Sequence, residues 1–141
     1  MGLKSRHQST TDRHWLQQIS GDKRVAWNFS FLSKEPQFNF LNQELVLATL
    51  LKKMQELNAV SVVAMLNLPK SAGIERIECR KVNGPLKRKM IPMEFGKLRQ
   101  QLAGDKYCII RFSRSGRIVG QMIDQTFYLF WIDTTHRLYN G

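Results

Sequence analysis

Residues 106–141 read KYCIIRFSRSGRIVGQMIDQTFYLFWIDTTHRLYNG, and the rest of the chain is organised around them. The stretch holds three apolar runs separated by turn signals, the pattern of short strands joined by tight connections. Tyr107, Ile109 and Arg111 fall on one face of the first strand, and Cys108, Ile110 and Phe112 on the other. Ser115-Gly116 predicts a two-residue hairpin turn. Residues 117–123 return, and Asp124-Gln125 turns the chain again. TFYLFWI (126–132) is continuously apolar, as a central strand covered on both faces would be. Asp133-Thr134-Thr135 then leaves the sheet, and His136, Arg137, Leu138 and Tyr139 run along its end.

Upstream segments read as elements that cover this sheet. Ser9, Thr10, Thr11 and Asp12 offer N-caps to a short helix over residues 12–20, with Trp15, Leu16 and Ile19 on one side and Gly21 as its stop. In VAWNFSFL (25–32), Val25, Trp27, Phe29 and Phe31 alternate with the residues between them, which predicts a half-buried strand. Residues 41–58 form the clearest helix, with Leu47, Leu50, Leu51, Met54 and Leu57 at helical spacing. Asn58 is placed to end it and to cap a second, short helix over 60–68, giving a helical hairpin closed by Pro69. Residues 74–82 are a candidate strand, and Asn83-Gly84 a turn. Residues 94–102 read as a further helix with Phe95, Leu98 and Leu102 on one side. The sequence therefore predicts an α+β fold, a small twisted antiparallel sheet with a helical hairpin packed on one face. The 141 residues fit a single domain, with 1–10 as a basic tail.

Charge narrows the function. The chain carries 22 Lys and Arg against 11 Asp and Glu, a formal net charge of +11. An excess of this size points to an anionic partner, with nucleic acid the leading candidate. The two cysteines, Cys79 and Cys108, lie far apart without CxxC spacing, which predicts no disulfide framework and fits a reducing cytoplasm. No run approaches the roughly 20 apolar residues of a membrane span. MGLKSRHQS lacks the apolar segment of a signal peptide.

No phosphate-cradling glycine motif, dinucleotide fingerprint or HExxH occurs, and the histidines and cysteines lack metal-ligand spacing, so no metal and no cofactor are expected. RNA offers a route that needs neither. Its own 2′-OH attacks the neighbouring phosphate once one group removes the hydroxyl proton, another protonates the leaving oxygen and a cation stabilises the charge on phosphorus. His136 has the ordinary pKa for either proton role. Tyr139 follows three residues later. Arg111, Arg114 and Arg117 flank one hairpin, and a guanidinium binds phosphate oxygens bidentately. Lys87, Arg88 and Lys89 form a compact basic cluster suited to tracking a phosphate backbone, with Arg114 and Arg137 as further contacts.

With these residues in place, the order "strand, GRIVGQMID, short apolar strand, HRLY" resembles the RelE/ParE-like toxin superfamily, whose RelE and YoeB branches are ribosome-dependent mRNA interferases. The likeness covers mainly residues 106–139, and the upstream strand followed by a helical hairpin is also that family's order. It implies a RelE-like sheet with helices on one face, endoribonuclease activity on mRNA at the ribosome, and an acidic antitoxin as protein partner. In YoeB-like members a strand arginine and a His-Tyr near the C-terminus contribute to cleavage. Those roles would fall on Arg117, His136 and Tyr139, with Arg111 as a second phosphate contact. Here Arg137-Leu138 separates His from Tyr, and Glu75, Glu78 and Glu94 are candidates for the general base. Two alternatives stay open, a non-catalytic nucleic-acid-binding protein of phage or plasmid type and a ParE-like inhibitor of DNA gyrase.

Overall fold

The structure is a computed structural model, and it describes residues 23–41, 44–79 and 91–134. The predicted helix over 12–20, the basic cluster Lys87-Arg88-Lys89, and His136, Arg137 and Tyr139 lie outside the described residues.

The fold is α+β. Among the described residues, five strands form one sheet: β1 (Ala26–Asn28), β2 (Ile74–Glu78), β3 (Lys106–Arg111), β4 (Arg117–Ile123) and β5 (Thr126–Asp133). Their order is β1-β5-β4-β3-β2. Strands β2 to β5 pair antiparallel in succession, whereas β1 lies parallel to β5, with Trp27 opposite Phe127. The sheet is therefore mixed, not wholly antiparallel. The parallel pair arises because the chain leaves β1, builds three more strands beyond its reach, and comes back beside it.

Alternation along β3 sorts the core into two layers. Cys108, Ile110 and Phe112 pack with Ile118, Phe127, Leu129 and Ile132 on one face. Tyr107 and Ile109 pack with Val119, Phe130 and Trp131 on the other. Helix α1 (Glu44–Asn58) covers the first face with Leu50, Met54 and Leu57, spaced i, i+4 and i+7. Leu51, expected in that stripe, is exposed because it stands about 100° round the helix from Leu50. Helix α2 (Val62–Leu66) adds Met65. Its N-cap is Ser61, whose Oγ accepts from the Ala64 amide, and not Asn58. Asn58 instead bridges to β1: its Oδ1 accepts from Trp27 Nε1 at 3.1 Å, and its Nδ2 donates to the Val25 carbonyl at 2.7 Å.

The second face is covered as well, which the single helical layer expected from sequence did not provide for. Phe38, from a 3-10 turn (Pro36–Phe38), lies edge-on to Trp131, with ring centroids 4.2 Å apart. Phe95, ending a second 3-10 turn (Met93–Phe95), is fully buried against Phe130 and Tyr128. Helix α3 (Gly96–Ala103) follows and buries Ala103. Leu98 and Leu102, expected beside Phe95, are 70% and 63% exposed, because the helix starts only after Phe95 and turns those leucines outward.

The strand expected over 25–32 stops at Asn28. Asn28 Oδ1 accepts from the Ser30 amide, and the Leu32 amide donates to the Phe29 carbonyl, which closes a turn. That turn carries Phe31 from the first face to the second, where it meets Phe95 edge-on. Two features shape the β4–β5 ladder. Val119 pairs with Trp131 but Gly120 with Leu129, so Phe130 is an extra residue and a bulge. The bulge puts Phe130 and Trp131 on the same face, and the Phe130 carbonyl accepts from the Ser33 amide. The Asp124-Gln125 hairpin turn forms as expected, with Asp124 at φ 55° and held by Lys23 at 3.0 Å.

Candidate nucleic-acid interface

Among the described residues, four charged side chains stand at one end of the sheet, on its second face. Arg111 pairs directly with Arg117 across β3 and β4, and Arg117 with Asp133 across β4 and β5. Paired residues share a face, so all three stand on the side of Val119 and Trp131. Glu75 faces Ile109 on the same side, one residue pair inward. Its carboxylate lies 3.9 Å from the Arg111 guanidinium and 3.8 Å from Lys70 Nζ. At such lengths these are loose ion pairs.

The two arginines do different work. Arg117 is only 4% exposed. Its Nη1 donates to the carbonyls of Ser113, Arg114 and Gly116 at 3.2, 3.2 and 2.9 Å. The β3–β4 connection is thus a five-residue loop wound around this guanidinium, in place of the expected two-residue turn at Ser115-Gly116. Within the loop the Phe112 amide donates to the Gly116 carbonyl, and the Gly116 amide to Ser113 Oγ. Arg111 is partly exposed, and among the described residues its ion pair is the loose one to Glu75. The Nε atoms of both arginines are buried and have no hydrogen-bond partner. Arg114 stands exposed in the loop.

Asp133, expected at a turn beyond the sheet, is the last residue of β5 and almost fully buried. Neither it nor Glu75 could be assigned to this cluster from sequence, because the assignment needs the strand register. The only sequence signal for Glu75 is its place in IERIE, where polar and apolar residues alternate. Gln121 is a second buried polar residue that the pattern hid among apolar neighbours. Its Nε2 donates to the carbonyls of Gly104 and Lys106, tying β4 to the start of β3. Gly120 is required beside it, since a Cβ there would lie 1.8 Å from the Tyr128 carbonyl oxygen.

Farther along the same face, Trp131 and Phe130 floor a groove of about 460 Å³. Ser30, Phe31, Leu32, Ser33, Lys34, Glu35, Pro92 and Glu94 complete its lining. The Arg99 guanidinium lies 5.0 Å over the Phe31 ring. Near β2, Tyr107 hydrogen-bonds Cys79, and burial pushes both groups above their ordinary pKa values. Burial likewise raises the Cys108 thiol.

Among the described residues no three His, Cys, Asp or Glu side chains gather as a metal ion would need, and no helix is long and apolar enough to cross a membrane. No family model, no curated protein and no solved structure matches this chain.

Proposed function

We propose that the protein binds RNA through the charged end of its sheet and acts there as a metal-independent endoribonuclease of the RelE/YoeB kind. The supporting observation is the row Arg111, Arg117, Asp133, placed on one face by strand register. Arg111 is the phosphate contact in this reading. Its Nε has no partner, and its pair with Glu75 is loose enough for a phosphate oxygen to displace. Arg117 fixes the loop that carries Arg114, so that both outward cations keep a set geometry. His136 follows Asp133 by three residues, a reach of at most about 11 Å. The proton chemistry in this reading is assigned to His136. The net charge of +11 supplies long-range attraction to a polyanion.

The test is to incubate purified protein with mRNA, with and without EDTA, both naked and on translating ribosomes, and to map new 5′ ends. Cleavage that survives EDTA and falls on His136→Ala supports the reading. RNA binding without cleavage under every condition leaves the non-catalytic RNA-binding protein instead. The specific observation favouring that second reading is Arg117, whose guanidinium is taken up by loop carbonyls.

A further inference from the structure

The groove beside the charged row has a chemistry of its own. Phe130 and Trp131 line it but are 0% and 4% exposed, so the ring it leaves open is Phe31, half-buried in its wall. Its volume of about 460 Å³ lies in the range of small-ligand sites. Two exposed carboxylates, Glu35 and Glu94, line it from separate elements. They bear no resemblance to a phosphate site, since a carboxylate repels a phosphate and offers it no donor. Cations stand at the margin instead, Lys34 in the wall and Arg99 over the Phe31 ring. A flat ring that presents N–H donors fits the interior, and the phosphates attached to it fit the margin.

Resting on the RNA-binding function proposed for the charged row, we propose that this groove takes a single guanine base of a bound RNA strand. Guanine carries two adjacent donors on its Watson–Crick edge, N1–H and the N2 amine, which a carboxylate can accept together. Adenine and uracil have no such adjacent pair of donors. The ring stacks against Phe31, as unpaired bases do on protein aromatics. Trp131 and Asp133 lie on the same face of β5, so the strand that places its base here runs toward the Arg111–Arg117 row.

The experiment uses the full chain and fluorescently labelled octamers of uridine, one with a single internal guanosine and one with inosine at that place. Inosine keeps N1–H and lacks the N2 amine. The guanosine octamer is expected to bind about tenfold more tightly than either all-uridine or inosine RNA. Glu35→Gln and Glu94→Gln, alone and together, should remove that preference while leaving all-uridine affinity equal or higher. Melting temperatures near that of the unaltered chain confirm folding, and both positions are exposed. If all three RNAs bind equally, the guanine assignment is overturned and RNA binding stands. If the preference survives in the double variant, the carboxylates are not its source and the proposal fails. If no RNA binds at all, the RNA reading and the groove assignment fall together.

Discussion

Arg111 and Arg117 are the same residue type six positions apart, yet burial and partners give them opposite roles. Replacing Arg117 by Met removes its three bonds to loop carbonyls, of which the Gly116 carbonyl keeps the Phe112 amide, and should lower stability by roughly 2–4 kcal/mol, read from urea denaturation. Arg111→Met loses the loose, partly exposed ion pair to Glu75. It should cost under about 1 kcal/mol while weakening RNA binding. A stable Arg111→Met variant with unaltered RNA affinity would remove Arg111 from the interface. Gly120→Ala drives a methyl group into the Tyr128 carbonyl, and a loss of about 3 kcal/mol or more should appear as a lower melting temperature. Titration adds a further signature. Burial raises the Cys79 and Tyr107 pKa values above their ordinary 9.0 and 10.0. The folded state therefore favours the protonated forms. Their contribution is complete below those ordinary values and is lost as the pH climbs through the raised ones. Stability should hold to about pH 9 and fall beyond it. Tyr107→Phe should flatten the decline above about pH 10, measured as the urea midpoint against pH.

At the scale of elements, Asn58 hydrogen-bonds α1 to β1 and to the residue before it. Asn58 both accepts from Trp27 and donates to the Val25 carbonyl, so Asn58→Ala leaves two polar groups without partners. A loss of about 1–3 kcal/mol in chemical denaturation is expected, with the α1 packing stripe untouched. Elements were legible in the sequence where periodicity is a local property. The faces of β3, the buried TFYLFWI strand, the Leu50–Met54–Leu57 stripe and the Asp124-Gln125 turn all follow from it. Legibility ended where a distant partner decides. Asn28 and Ser30 end β1 through a side-chain bond that alternation does not encode. The five-residue β3–β4 loop exists because Arg117 reaches back into it. The parallel β1–β5 pair and the Glu75–Arg111 contact depend on register between segments far apart in the chain. The bulge at Phe130 breaks the period of two and thereby sets the floor of the groove.

For the molecule as a whole, the net charge of +11 would govern encounter with the proposed RNA partner. If the cationic surface makes 6–10 phosphate contacts, affinity should drop by roughly 10³–10⁵ between about 50 and 200 mM salt. A shallow slope in an anisotropy titration would argue against a phosphate-tracking surface. The guanine preference should persist across that salt range, because it arises from uncharged base edges and not from phosphate contacts.

Ala26 pairs with Thr126, a hundred residues farther along the chain. Everything between them can gather through neighbouring contacts, helix to helix and hairpin to hairpin. The first strand can only wait for the last, because closing so large a ring yields nothing until the rest is assembled. β1 is thus the piece expected to dock late and to leave early. Val25→Ala should leave the refolding rate almost unchanged and speed unfolding, a φ-value near zero in stopped-flow kinetics. The edge of the sheet beside the groove is then also the part of the molecule that opens most readily, and hydrogen exchange should find it first.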